Sequence, residues 1–190
     1  MLKAIVGLMK PAAGRILLNG RDISSTPARK IAKMGLAMVP EGRKIFSSLT
    51  VEENLKIGYK KAITGEDRWN LDSVYKLFPI LKENRLRPGT NMSGGQQQML
   101  AIGRALMANP SLLIFDELSL GLAPVATNAI YSKLSEIHDD QMTVILVEQN
   151  VQRSLSFASQ VYCLTQGRVS LQGRGNDLDM ETIRKAYFGT

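Results

Sequence analysis

The sequence predicts an α/β protein, a parallel sheet flanked by helices, with a purely helical subdomain inserted between about residues 50 and 110. Three observations carry this. Short apolar runs alternate with helical patterns on either side of that segment. Two of the runs, Leu112-Leu113-Ile114-Phe115 and Thr143-Val144-Ile145-Leu146-Val147, are continuous rather than alternating, the pattern of strands buried on both faces. Between Thr50 and Pro110 only helical patterns occur. At 190 residues, 44% of them hydrophobic and 22% charged, the chain is expected to form one domain with a packed core over 1–190.

The elements follow in order. Residues 2–9 read as the end of a helix closed before Pro11, and Arg15 to Asn19 as a short strand turned by Asn19-Gly20. Ala28 to Met34 suits a helix stopped by Gly35, and Leu36 to Val39 a compact strand halted by Pro40. Thr50, with Glu53 three residues on, forms a capping box that opens a helix to about Tyr59. Leu71 to Asn84 carries Val74, Leu77, Phe78 and Leu81 at helical spacing, and Ser93 to Ala108 presents Met99, Ile102 and Leu106 before Asn109-Pro110 stops it. The strand Leu112 to Phe115 then ends in Asp116-Glu117, a helix runs from Pro124 to Ile137, and the strand Thr143 to Val147 ends in Glu148-Gln149-Asn150. Both strands deliver polar residues to one sheet edge, where folds of this class bind ligands. Val151 to Ala158 is helical, Gln160 to Leu164 and Val169 to Gln172 form a hairpin around Gln166-Gly167, and a last helix covers Met180 to Tyr187.

Composition excludes several classes. No apolar run exceeds the six residues Ala4 to Met9, against the ~20 that a membrane helix needs, and nothing near Met1 has the form of an export signal. A cytosolic location is expected. One cysteine, Cys163, and one histidine, His138, cannot assemble an internal disulfide or a zinc cage. Cys163 reads as an inert core thiol, and His138, beside Asp139 and Asp140, as a solvated residue at a helix end. The net charge of +7 suits phosphate, anionic lipid or nucleic acid, but the basic residues look scattered, without the aromatic interleaving of a single-strand binder. No nucleic-acid partner is expected.

The chemistry begins at Met92-Ser93-Gly94-Gly95-Gln96. Serine and two glycines opening a helix leave backbone N–H groups and the positive end of the helix dipole open to a phosphate. Alone, this reads more readily as an ordinary N-cap, and Asp116-Glu117 alone could merely cap the next helix. Together they fit nucleotide hydrolysis: one carboxylate holds Mg²⁺ through water, and the second polarises a water attacking a γ-phosphate.

Through essentially all its length the chain resembles the nucleotide-binding subunits of ATP-binding cassette (ABC) transporters, a P-loop NTPase-like fold. Ser93-Gly94-Gly95-Gln96 resembles that family's signature motif and Ile114-Phe115-Asp116-Glu117 its Walker B strand. The resemblance implies that Asp116 organises Mg²⁺, that Glu117 is the general base, and that Ser93, Gly94, Gly95 and Gln96 clamp ATP held by a second ATPase subunit in a head-to-tail dimer. Val39-Pro40-Glu41-Gly42-Arg43-Lys44-Ile45-Phe46, Ser119-Leu120-Gly121-Leu122-Ala123-Pro124 and Val147-Glu148-Gln149-Asn150 are similar to the LivF-type cassettes of branched-chain amino acid importers. That likeness puts Glu41 at the Q-loop, touching nucleotide and metal, and Gln149 at the switch position. It further implies docking on membrane permease subunits at the cytoplasmic face, served indirectly by an external amino-acid-binding protein. Urea-importer cassettes are the nearest confusable group.

Two departures stand out. Leu118 replaces the proline that usually follows the glutamate, so φ is not pre-set there. No Gly-x-x-x-x-Gly-Lys-Ser/Thr occurs, and Met1 to Pro11 resembles the helix that follows that loop, so the expectation is a cassette cut after its P-loop strand. The alternative function is then a non-catalytic cassette that only pairs with an intact ATPase. A chromosome-maintenance ATPase, split by long coiled coils, does not fit the short spacing from Gln96 to Leu112.

Overall fold

The computed structural model describes residues 1–63, 65–138 and 142–188. It divides into two compact units, Met1–Val147 and Glu148–Thr190.

The first unit opens with helix α1 (Leu2–Ile5), shorter than the 2–9 expected. Gly7, at φ 74, ends it in a Schellman motif, with Leu8 N–H donating to the Lys3 carbonyl at 2.8 Å and Gly7 N–H to that of Ala4 at 3.1 Å. Strands β1 (Leu17–Leu18) and β2 (Arg21–Asp22) form a minimal hairpin. Asn19 and Gly20 both have positive φ (49 and 78), as a type I′ turn requires. Helix α2 (Ala28–Lys33) leads through Gly35 into β3 (Leu36–Val39).

Between β3 and the next strand the described chain is helical: α3 (Val51–Gly58), α4 (Leu71–Leu77), α5 (Pro79–Glu83), a 3-10 turn at Gly89–Asn91, and α6 (Gly94–Leu106). The Thr50–Glu53 capping box is present. The single helix expected over Leu71 to Asn84 is two. Pro79 lacks the N–H that would continue α4 and drives Phe78 out of the helical region, to φ −128 and ψ 80. On α6, Ile102 and Leu106 are buried as expected, but Met99 is only half so; Leu100, Ala101 and Gly103 are buried as well, because α6 packs against α3, α5 and β3 at once. A Cβ on Gly58 would lie 2.1 Å from the Arg104 carbonyl oxygen, so glycine sets how closely α3 approaches α6.

Strand β4 (Leu112–Asp116) lies between β3 and β5 (Thr143–Val147), all parallel, with Val39 opposite Phe115 and Asp116 opposite Val147. Helix α7 (Pro124–Ile137) connects β4 to β5 with the expected bounds. Leu113, Ile114 and Phe115 are fully buried, each worth roughly 1.5–3 kcal/mol. The expectation that β5 is buried on both faces fails: four of its residues are half-buried and Thr143 is exposed. It is the outer strand of the described sheet, whereas β4 has a neighbour on each side. His138 caps α7 and is exposed, its Nδ1 2.9 Å from the Met142 carbonyl oxygen; Asp139 and Asp140 lie outside the described residues.

The second unit holds α8 (Val151–Phe157), the antiparallel pair β6 (Gln160–Thr165) and β7 (Arg168–Arg174), and α9 (Met180–Phe188). Gln166 and Gly167 turn the hairpin, again with positive φ at both (50 and 77). Cys163 is not a core thiol: β6 alternates, and Cys163 is half-buried on its inner face. That burial still pushes its pKa up, against thiolate chemistry.

Candidate functional site

The start of α6 is built by its own residues. Ser93 caps the helix, its Oγ accepting from Gln96 N–H at 3.4 Å, while Gln96 Oε1 accepts from Ser93 N–H at 2.9 Å. The N–H groups of Gly94 and Gly95 donate to nothing among the described residues, as helix geometry dictates. Gly95 also has a packing reason: a Cβ there would stand 2.5 Å from the Ala126 Cβ of α7. At Gly94 an added Cβ would meet the Arg43 guanidinium at 3.1 Å. Two open donors, a hydroxyl able to donate and a neighbouring cation make an electropositive helix start suited to phosphate.

Arg43 comes from the loop after β3, where three consecutive residues, Gly42, Arg43 and Lys44, have positive φ (73, 63 and 48). Tertiary contacts hold this conformation. Arg43 Nη1 donates to Gln97 Oε1 at 3.4 Å, and its carbonyl accepts from Arg104 Nη2 at 3.1 Å. The Arg104 guanidinium also lies 5.0 Å above the Phe46 ring, a cation–π contact. Burial lowers the Arg104 pKa, though a guanidinium stays charged at any ordinary pH.

Behind the loop Asn54 is fully buried. Its Nδ2 donates to the carbonyls of Phe46, Leu49 and Thr50 at 3.1, 3.2 and 2.9 Å, and its Oδ1 accepts from Phe46 N–H at 3.0 Å. One side chain thus satisfies backbone groups on three residues of the loop's exit. Glu41, on the loop's entrance, is exposed.

The register of the sheet brings the carboxylates to one edge. Val39, Phe115 and Leu146 lie side by side in parallel strands, so Glu41, Asp116 and Glu117 all follow the carboxyl ends. Asp116 is half-buried, and its carboxylate has no hydrogen-bond or ion-pair partner among the described residues. Glu117 has φ 54, a left-handed conformation costing about 1–2 kcal/mol in a non-glycine residue. Its N–H donates to the Val147 carbonyl at 2.9 Å, and the next side chain, Leu118, is 1% exposed. The turn that proline would pre-set is fixed instead by this hydrogen bond and by burial of Leu118.

Gln149 belongs to the second unit, where it is exposed and its N–H donates to Glu148 Oε2 at 3.3 Å; Asn150 then caps α8 by accepting from Arg153 N–H. Sequence reasoning missed Asn54 and Arg104 as organisers of the loop. A signal was available: both are polar residues set among buried apolar ones, Asn54 beside Leu55 and Arg104 between Gly103 and Ala105.

Comparison with known proteins gives concordant results. A family profile described as ABC transporter matches residues 1–119. The chain is 41% identical over its whole length to the high-affinity branched-chain amino acid transport ATP-binding protein BraG of Pseudomonas aeruginosa, covering 82% of that protein. It is 37% identical, again over its whole length, to a probable branched-chain amino acid transport ATP-binding protein LivF of Archaeoglobus fulgidus, covering 81% of it. Among solved structures, an ATP-binding cassette of an ABC transporter superposes with a TM-score of 0.78 at 25% identity, over 97% of this chain and 77% of that one.

Proposed function

The chain belongs to the ABC transporter family of ATP-binding subunits, ATPases by family, and from that premise we propose that it powers the import of branched-chain amino acids. The observation that carries the substrate class is the likeness, over all 190 residues, to two proteins named for branched-chain amino acid transport. The 190 residues act in this reading as one cassette, working head to tail with a second ATPase subunit on membrane permease subunits at the cytoplasmic face. No helix among the described residues is long and apolar enough to cross a membrane, which suits a peripheral subunit.

In this reading the α6 start binds the terminal phosphates of ATP held by the partner subunit, through the Gly94 and Gly95 N–H groups and the Ser93 hydroxyl. Gln96 keeps Ser93 in place through the capping box. Glu117 accepts a proton from the attacking water, aimed by its left-handed backbone, and the likeness to LivF-type cassettes gives Gln149 the switch role. Mg²⁺, when bound, neutralises charge on the β- and γ-phosphates. The residues present fit a hydrated hard cation: Asp116 offers a carboxylate with no partner among the described residues and Glu41 an exposed one.

The test is reconstitution in vesicles with permease and partner cassette. ATP-driven uptake of labelled leucine is expected, abolished by Ser93→Arg, which drives a bulky cation into the phosphate position. Uptake untouched by that substitution sinks the proposal. One sequence fact favours a second reading, a non-catalytic cassette lending its signature face to an intact ATPase: no Gly-x-x-x-x-Gly-Lys-Ser/Thr occurs in these residues. Under it, Glu117→Gln in this chain leaves turnover by the pair unchanged while Ser93→Arg abolishes it.

A further inference from the structure

The charge of the chain is unevenly placed. Residues 1–34 carry seven Lys and Arg against one acid, Asp22, whereas the rest of the chain holds seventeen against sixteen. Folding gathers part of this excess rather than scattering it. Arg21 at the end of the β1–β2 hairpin and Lys30 and Lys33 of α2 line one open cavity of about 340 Å³, together with Ser25 and Thr26 and with no carboxylate in its wall. None of these five side chains has a hydrogen-bond or ion-pair partner among the described residues. The one acid of residues 1–34, Asp22, turns its carboxylate to Ser24, accepting from the N–H at 2.9 Å and from the hydroxyl at 2.6 Å, which hold its pKa below the usual range and keep it ionised.

Three like charges around one cavity repel, and the single Asp22 carboxylate, outside the cavity wall, offsets at most one of them; an anion removes the rest of that repulsion. Its ligand must therefore be anionic, and two hydroxyls beside three ammonium and guanidinium groups match the many acceptor oxygens of a phosphate better than a single carboxylate. The volume admits a phosphate with a small organic stem. We infer that this cavity is a binding site for a phosphate group, borne by a soluble phosphomonoester or by the headgroup of an anionic lipid, separate from the nucleotide-handling face at α6 and the sheet edge. It asks nothing of the transport reading and stands or falls without it.

The test compares the full chain with Lys30→Gln/Lys33→Gln, and with Lys76→Gln/Lys82→Gln as a control of equal charge change on exposed lysines elsewhere. Thermal midpoints establish that all three fold alike, and Arg21→Gln gives an independent variant outside α2. Two arms are read: calorimetric titration with glycerol 3-phosphate, and co-sedimentation with phosphatidylglycerol against phosphatidylcholine vesicles. Loss of roughly tenfold or more in glycerol 3-phosphate affinity, confined to the cavity variants, supports the site with a soluble ligand. Loss of roughly fivefold per cation in phosphatidylglycerol affinity, about 25-fold for the pair, supports it with a lipid headgroup. Binding in neither arm, or equal loss in the control, overturns it.

Discussion

Replacing Asn54 by alanine should release the loop that carries Glu41, Arg43 and Lys44, and the structure allows its magnitude to be worked out. Five hydrogen bonds vanish, with the carbonyls of Phe46, Leu49 and Thr50, with the N–H of Phe46 and, at 3.5 Å, with Arg104 Nη1. The Thr50 carbonyl keeps a second partner, the Asn54 N–H at 2.9 Å, so its loss is partial. The Phe46 and Leu49 carbonyls likewise keep the N–H groups of Leu49 at 3.2 Å and Gly89 at 3.1 Å, so only the Phe46 N–H is left with what water can reach. At about 1–2 kcal/mol for the orphaned amide, with about 1 kcal/mol spread over the weakened carbonyl and Arg104 contacts, the loss is roughly 2–3 kcal/mol. For a chain of this size that lowers the thermal midpoint by roughly 4–12 °C, since each kcal/mol shifts it by about 2–4 °C. Hydrogen exchange localises the effect: the Phe46 amide should exchange far faster in Asn54→Ala, while amides of β4 keep their order relative to global unfolding. A midpoint lowered by less than about 2 °C, with Phe46 still protected, would refute the claim that this one side chain organises the loop.

Other expectations follow from single contacts. Gly95→Ala forces a methyl to 2.5 Å from the Ala126 Cβ and should destabilise by about 1–3 kcal/mol; adding Ala126→Gly should recover most of this, and denaturant melts showing additive losses would refute direct contact. Glu117→Gly relieves left-handed strain at φ 54, so the midpoint should rise while ATP turnover in the assembled complex falls about 10²–10⁴-fold. Burial and the nearby Glu52 carboxylate push the Tyr75 pKa from 10.0 up to about 12, with the hydroxyl donating to Glu52 Oε2 at 3.2 Å. The folded state therefore holds this proton more tightly than the unfolded one. Its contribution to stability is complete below pH 10 and fades as pH rises towards about 12, a decline that Tyr75→Phe should flatten in alkaline denaturation curves.

What the sequence made legible shares one trait: each signal was local. The Thr50 and Ser93 caps, the stops at Gly35 and Asn109-Pro110, and the bounds of β3, β5 and α7 depend on residues within a turn of each other, and all are found. Local signals also misled where a competing one went unweighed, as at Pro79, whose missing N–H overrode a helical period that ran through it. Three features needed distant partners. That β5 is half-buried depends on what flanks a strand, not on Thr143 to Val147 themselves. The left-handed backbone of Arg43 and Lys44 is upheld by Asn54 and Arg104, and the clustering of Arg21 with Lys30 and Lys33 depends on how a hairpin meets a helix. For the site, the motifs named Ser93 to Gln96 and Asp116-Glu117, yet gave no hint that Arg43 reaches over Gly94.

That reach has a mechanical consequence. Arg43 is attached to α6 at two levels, its guanidinium at Gln97 near the helix start and its carbonyl at Arg104, seven residues further on and so about 10 Å along the axis. Two attachments on one rigid element fix orientation as well as position, so a displacement of the Glu41 to Phe46 loop must carry the start of α6 with it or break one of the two bonds. The bonds differ in strength: the Arg104 contact is shorter and partly desolvated, the Gln97 contact long. Gln97 also donates to the Thr90 and Met92 carbonyls, at 3.2 and 3.0 Å, so the clean change is Arg43→Ala, which should remove the guanidinium contact while its carbonyl keeps the loop seated, whereas Arg104→Gln should unseat its backbone. If Arg43→Ala alters phosphate handling at α6 without changing the thermal midpoint, and Arg104→Gln changes both, the guanidinium of Arg43 is the group through which the loop acts on the helix start. Equal effects of the two on stability would mean that the loop is held as a single body with no separable contact.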